Sequence, residues 1–335
     1  MHLPENQWYP VLESGEVRNK PLAVERLGLK LVFWRSANGE PHAHIDRCPH
    51  LGAALSGGQT MGGRLVCPFH GFEFDGTGQC QHIPANGRLG KIPKGMALTG
   101  FTLREEHGLI WLWLGQHREV LPKVPYFPPL ESGWRYGTVK VEWPVHYTRA
   151  IENQLDVAHL AFVHRTNIGA GGRSFVDGPY VESDAEGIKV WVSNSVDEGR
   201  HSRSQTELAA AAVGKEPSLS FLFPGVWLLN ISPRMKNFIA FVPVNDQTTL
   251  YYLRVYHRIQ NPLLAKPYEW LIGLSNRFIL NQDRRVVVTQ TPLKSADGED
   301  RLIGADRAIS QFRQIHARLL EATQPEPLPN IDERA

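Results

Sequence analysis

A chain of 335 residues is long enough for two domains, each with its own buried core. With 42% hydrophobic and 21% charged residues it is neither a disordered chain nor a coiled coil, and a formal charge of +2 without any Lys/Arg-rich block gives no basis for nucleic acid or an anionic membrane as the main partner. Three cysteines cannot build a disulfide framework, and two of them stand beside histidines, which points to metal instead of bridges.

In chain order, residues Met1-His2-Leu3-Pro4-Glu5-Asn6 carry neither the basic nor the apolar region of a signal peptide, so the expectation is a cytoplasmic chain. Strand-like runs follow at Leu29–Trp34, His42–Asp46 and Leu109–Leu114, separated by Gly- and Pro-rich turns. They predict a small antiparallel β domain ending near residue 116; the last run, although apolar, is far too short to cross a bilayer. Within this domain lie Cys48-Pro49-His50 and, sixteen residues on, Cys67-Pro68-Phe69-His70. Each loop offers one thiolate and one imidazole, the asymmetry of a cluster with two cysteines on one iron and two histidines on the other. Gly52, Gly57, Gly58, Gly62 and Gly63 suit loops that bring amides close to sulfur. A structural Cys2His2 zinc site is the alternative, but zinc sites usually pair Cys with Cys and His with His. Cys80, His42, His44 and His82 have no spacing that requires metal and read as ordinary core, strand or surface residues.

A linker rich in proline (Pro122, Pro125, Pro128, Pro129) runs to Gly133. Beyond it, strand-like segments at roughly 135–143, 180–196, 219–232, 236–244 and 248–258 predict a second sheet. Three helical patterns accompany it: Val145–His164; a helix from Pro262 with Leu264, Leu271, Leu274, Phe278 and Ile279 as its packing face; and one carrying Ala305, Ala308, Ile309, Phe312, Ile315, Leu319 and Leu320. The tail after Ala322 reads as extended. The fold class is α+β, with domains expected at 1–117 and 134–325, a linker at 118–133 and a tail at 326–335.

The first helix carries Asp156, His159 and His164 in the pattern D-x-x-H-x-x-x-x-H. Two histidines and a carboxylate make a facial triad that leaves positions open on Fe(II). Asn153, Asp156 and His159, three apart, should share a helix face, whereas His164 requires the helix to bend or end after His159. Alone, such a pattern also suits ordinary core or surface groups. Downstream of an iron–sulfur motif it reads as a metal site, because the cluster supplies the electrons that the triad consumes.

Cys48-x-His50 and Cys67-x-x-His70, followed by Gly71-Phe72-Glu73-Phe74-Asp75, resemble the cluster loops of Rieske non-haem iron oxygenases. The stretch Glu152-Asn153-x-x-Asp156-x-x-His159-x-x-x-x-His164 is similar to that family's catalytic signature, and Asp283 opens a D-x-x-x-V-x-x-Q segment like the family's. The resemblance covers about residues 7–320, nearest the vanillate O-demethylase and dicamba monooxygenase branch. It implies an N-terminal antiparallel β domain holding one [2Fe–2S] cluster, with Cys48 and Cys67 on the inner iron and His50 and His70 on the outer. It also implies a catalytic domain of antiparallel sheet flanked by helices, of the helix-grip, START-like kind. There His159, His164 and Asp283 would hold a mononuclear Fe(II), Asp156 would bridge to a neighbouring subunit's cluster in a homotrimer, and Asn153 would sit near the iron. Asp283 has the competing reading of a surface pair with Arg284 or Arg285, and Asp246 and Asp306 are weaker candidates in a turn and at a helix start.

The expected reaction uses O2 to hydroxylate or oxidatively demethylate a small aromatic compound, with cis-dihydroxylation of a ring as the runner-up. A non-catalytic Rieske electron carrier is the reading from a different class. No G-x-G-x-x-G follows a strand, so NAD(P)H would act only through a separate reductase or ferredoxin. Trp227, Asn230, Phe241 and Phe278 could line a substrate pocket, although aromatics at strand spacing are commonly core.

Overall fold

The structure, a computed structural model, describes residues 1–322. Its N-terminal part has three small antiparallel sheets. Gln7–Glu13 pairs with Leu109–Leu114, which pairs with Leu103–Glu106, so the first strand and the last close one sheet. Leu22–Arg26, Leu29–Arg35, Pro41–Ile45 and Gly100–Phe101 make the second. The third, Gln59–Met61, Arg64–Val66, Glu73–Phe74 and Cys80–His82, carries the cysteine loops. The proline-rich connection is no free tether. Val124, Phe127 and Leu130 are buried in a core cluster with Trp8, Trp111 and Trp113, and Trp8 Nε1 donates to the Pro122 carbonyl at 2.9 Å.

The C-terminal part is one seven-stranded antiparallel sheet in the order Arg135–Trp143, Thr248–His257, Met235–Asn245, Val226–Ser232, Leu219–Leu222, Gly187–Ser195 and Phe175–Ser183. The expected strands at 180–196 and 219–232 are each two. Asp184 Oδ1 accepts from the Glu186 and Gly187 amides and folds the first into a hairpin, and Phe223-Pro224 interrupts the second. Helices α1 (Tyr147–Leu155), α2 (Leu160–Val163), α3 (Gln205–Ala212), α4 (Pro262–Val287) and α5 (Arg307–Glu321) complete it. Helix α3, absent from the sequence expectation, starts at a capping box in which Ser204 and Glu207 satisfy each other's amides.

Helix α5 buries the expected stripe of Ala308, Ile309, Phe312 and Ile315. Helix α4 does not follow expectation. Asn276, Leu280, Asp283 and Val287 are buried, and an added methyl on Gly273 would meet Val139 of the sheet at 3.4 Å, so 273, 276, 280, 283 and 287 form the packed side of α4. Of the predicted packing face, Leu264, Leu271, Leu274 and Phe278 are exposed and only Ile279 is half-buried. The packed stripe is narrow and partly polar, so the apolar periodicity reports the outer face.

The two parts are joined through buried polar contacts as well as packing. Arg254, fully buried in the large sheet, donates to Glu13 (3.0 Å) and to the His107 and Gly108 carbonyls (2.6 and 2.7 Å). The amides of Leu27 and Gly28 donate to the Pro243 and Val244 carbonyls at 2.7 and 2.8 Å. The expected tail, 326–335, lies outside the described residues. Among the described residues no helix is long and apolar enough to cross a membrane.

Candidate metal centres

The two cysteine loops are built alike. The Cys48 amide donates to the Ala53 carbonyl and the Cys67 amide to the Phe72 carbonyl, both at 2.8 Å. The Gly52 amide closes on the Cys48 carbonyl at 2.9 Å, and the Gly71 amide on the Cys67 carbonyl at 3.1 Å. Both glycines have positive φ, +75° and +69°, a conformation that disfavours any side chain. The result is two turns with the same backbone hydrogen bonds that bury their cysteines and expose their histidines. The His50 and His70 rings stand 4.8 Å apart at 67°, with Phe72 stacked on His50. Burial pushes the Cys48 thiol up to about 11, the His50 amide opposes that shift, and the neighbouring Cys67 adds to it. Two buried sulfurs and two exposed imidazoles fit a Rieske cluster, with its thiolate iron inside and its imidazole iron at the surface. Outside the loops, His44 is buried and accepts from Trp34 Nε1 at 3.2 Å, His82 pairs with Glu73 at 3.1 Å, and Cys80 is buried.

The second centre starts where α1 breaks. The sequence suggests one helix through His159, but it ends at Leu155, and Asp156 is extended at φ −69° and ψ 122°. Asp156 Oδ1 accepts from the amides of Ala158 (2.7 Å) and His159 (3.2 Å), so the carboxylate competes with the helix and turns the chain into α2. Asn153, Asp156 and His159 consequently do not share a helix face. His159 precedes α2 and His164 ends it. His159 Nδ1 lies 3.0 Å from the Asp156 carbonyl and 3.7 Å from Asp156 Oδ2. Burial pushes the Asp156 carboxyl up, but the His159 ring and the two amides outweigh it and hold it below the ordinary aspartate value. Asn153 bonds to its neighbour Gln154 at 2.9 Å.

More than a hundred residues later, the inner face of α4 delivers Asp283, which is 2% exposed. Its Oδ1 stands 3.0 Å from His164 Nε2 and 3.5 Å from His159 Nε2. The ligating atoms of His159, His164 and Asp283 all lie within 4.8 Å of one another. Arg284 and Arg285 point to solvent, so the surface-pair alternative for Asp283 does not hold. Asp283 Oδ1 is buried without a hydrogen-bond partner, and a carboxylate oxygen facing two imidazole nitrogens needs a cation between them. A proton answers the same demand. Burial pulls the His164 imidazole down, yet Asp283 and Gln282 outweigh it and leave it raised. The donor set fits Fe(II) with open positions. Asp246, in a strand turn, pairs with Lys294, and Asp306 precedes α5; neither joins this cluster.

Trp227 and Phe241 are buried on the sheet, whereas Phe278 is 57% exposed on the outer side of α4 and cannot line a pocket beside Asp283. Asn230 donates to the Pro217 carbonyl at 2.7 Å. Two groups of residues escaped the sequence reading. One is the partly buried ion-pair network of Arg149, Glu152, Asp300 and Arg313, which ties α1 to α5 (2.7 Å for Arg149–Asp300 and Arg313–Glu152). The other is Gln282, whose Oε1 is 2.8 Å from His164 Nδ1. Only adjacency to Asp283 hints at Gln282 in one dimension, and no local pattern announces the network.

The Rieske [2Fe-2S] domain family matches residues 7–93, and the vanillate O-demethylase oxygenase C-terminal domain family matches residues 143–322. The oxygenase component of dicamba O-demethylase from Stenotrophomonas maltophilia is 35% identical over 50% of this chain and 49% of its own length. The vanillate O-demethylase oxygenase subunit from Pseudomonas sp. strain HR199 is 30% identical over 58% of this chain and 53% of its own. The match thus spans about half the length of these relatives. Among solved structures, NdmA from Pseudomonas putida CBB5 superposes with a TM-score of 0.77 at 24% identity, over 95% of this chain and 91% of that one, a likeness of fold.

Proposed function

Because the chain belongs to the Rieske oxygenases that carry the vanillate O-demethylase oxygenase C-terminal domain, we propose that it is the terminal oxygenase of a multicomponent system that hydroxylates or oxidatively demethylates a small aromatic compound. The observation that carries this reading is the meeting of His159, His164 and Asp283 around an unpartnered buried carboxylate oxygen, in a chain that also holds paired cysteine–histidine loops. Cys48, Cys67, His50 and His70 hold the [2Fe–2S] cluster; His159, His164 and Asp283 hold the mononuclear iron, with Asn153 nearby. When bound, the two centres supply one-electron storage and O2 activation.

The chain's own residues orient and exclude. Asp283 brings the charge that retains the ion, and burial of His164 and Asp283 keeps bulk water from that side. Asp156 spends Oδ1 on two amides, while Oδ2 stays on a side chain that is still 29% exposed. That oxygen, 3.7 Å from His159 Nδ1, suits a bridge to an outer cluster histidine of a neighbouring subunit, and such head-to-tail contacts close as a cyclic homotrimer. Exposed His50 and His70 suit docking of a ferredoxin or reductase that passes on electrons from NAD(P)H. The site is cytoplasmic in this reading. The working division is 1–117 for the cluster domain, 118–133 for the linker and 134–325 for the catalytic domain, its last residues lying outside those described.

The names of the dicamba and vanillate relatives favour a methoxylated aromatic acid. The test is O2 uptake and formaldehyde release with NADH, a surrogate reductase and a panel of methoxy- and N-methyl-arenes. Coupled uptake and release supports demethylation, cis-diol formation replaces it with ring dihydroxylation, and reduction of the cluster without O2 uptake on any substrate makes the chain an electron carrier.

A further inference from the structure

The inner side of the mononuclear site is described by its ligands, but the back of His164 is held by two side chains with no assigned part. Asn167 follows α2 in a turn, its amide donating to the His164 carbonyl at 2.9 Å. Asn167 Oδ1 accepts from the Ile168 backbone amide at 2.9 Å. A backbone amide can only donate, so the orientation of the Asn167 side chain follows: its Nδ2 end is the one that faces Gln282, 3.2 Å away. Gln282 must then present Oε1 to that donor. The same Oε1 lies 2.8 Å from His164 Nδ1. An acceptor on that side puts the imidazole hydrogen on Nδ1 and leaves the lone pair on Nε2, aimed at Asp283 Oδ1 3.0 Å away. The chain of donors starts at a group that cannot flip and ends at a ligand atom.

We propose that Gln282 and Asn167 are positioning residues that lock the tautomer of His164 and thereby set the affinity of the mononuclear site for Fe(II). The pair acts on one ligand only, since His159 is held instead by the Asp156 carbonyl. It also explains why adjacent residues on α4 face the same imidazole from opposite sides, Gln282 at Nδ1 and Asp283 at Nε2. The inference rests on the reading of His159, His164 and Asp283 as an iron site.

The test is anaerobic Fe(II) titration of full-length protein stripped of mononuclear metal but retaining its cluster, with the visible spectrum of the cluster as the control for folding. Gln282→Leu removes the acceptor at similar volume and should weaken Fe(II) binding about 10- to 100-fold, as loss of a partner to a ligating histidine does. Gln282→Glu keeps an acceptor oxygen and adds a negative charge, so it should bind Fe(II) at least as tightly as wild type. Asn167→Asp is the sharpest case. Its added negative charge alone would strengthen cation binding, but it has no hydrogen to donate, so the Gln282 amide turns its nitrogen towards it and towards His164. The imidazole hydrogen then moves to Nε2, and binding should weaken. Wild-type affinity in Gln282→Leu, equal weakening in Gln282→Glu and Gln282→Leu, or tighter binding in Asn167→Asp would each overturn the relay. A wild-type chain that takes up no Fe(II) would overturn the iron site itself and this inference with it.

Discussion

Replacing Arg313 with methionine, which keeps the length of the side chain and removes its charge, should expose how much the partly buried ion-pair network contributes. Arg313 donates to Glu152 at 2.7 and 2.9 Å and to Asp300 at 2.7 Å. Its removal leaves Glu152, whose side chain is 7% exposed, facing only Arg149 at 3.6 Å, while Asp300, about a third exposed, is rehydrated and keeps Arg149 at 2.7 Å. A hydrogen bond to a charged group is worth about 1.5–3 kcal/mol, and a buried charge stripped of its partner costs about 3–5 kcal/mol. Rehydration of Asp300 and the remaining Arg149 reduce the sum, so the expected loss is roughly 3 kcal/mol, or about 6–12 °C in Tm for a domain of this size. Urea unfolding followed by tryptophan fluorescence measures it. The loss should depend on pH. Arg149 first, and then Arg313, hold the Asp300 carboxyl below its ordinary value. Its stabilisation is therefore full above the ordinary aspartate value and lost as pH falls through the lowered one, so the part of the loss that runs through Asp300 should fade in acid. A loss under about 1 kcal/mol at neutral pH would refute the premise that Glu152 is closed to water.

Asp283→Asn keeps the volume of the third ligand and removes its charge; the purified protein should keep its cluster iron and sulfide but lose the mononuclear iron, and retained iron would remove Asp283 from the site. Asp156→Asn preserves the oxygen that caps the Ala158 and His159 amides, so fold, cluster and iron should persist while turnover with a reductase falls about 10- to 100-fold; near-normal turnover would end its bridging role. Burial pushes His44, His146 and His316 each down to about 4. A folded histidine that stays neutral while its unfolded counterpart protonates loses stability as pH falls from about 6.5 towards 4, by about 1–2 kcal/mol each at pH 5. His44→Asn, which retains an acceptor for Trp34, should flatten that decline in urea unfolding measured between pH 7 and pH 5, and an unchanged slope would contradict it.

Much of this was legible because the chemistry is local. Cys48-x-His50 and Cys67-x-x-His70 each lie within a single turn, so their spacing marks them as a metal-site candidate, and the resemblance to the family's loops proposes the cluster over zinc. His159 and His164 were legible for the same reason. The place of the helix break was not: three-residue spacing suggested a continuous face, whereas the Asp156 side chain takes the amides that the helix would have used next. Helix α4 misled more seriously. Its apolar residues are numerous on the outside, and the side that packs is marked by Gly273, Asn276 and Asp283, residues that hydrophobic periodicity does not count. Gln282 and Arg313 act on residues 118 and 161 positions away, a reach that no sequence pattern carries.

The central claim, one Rieske cluster and one mononuclear iron in a single chain, is tested most directly by iron and acid-labile sulfide per chain on anaerobically purified protein, with EPR after dithionite reduction. Close to three irons and two sulfides with a Rieske-type signal is the predicted result. About two irons and two sulfides that persist after incubation with Fe(II), or zinc in place of the cluster, would contradict it.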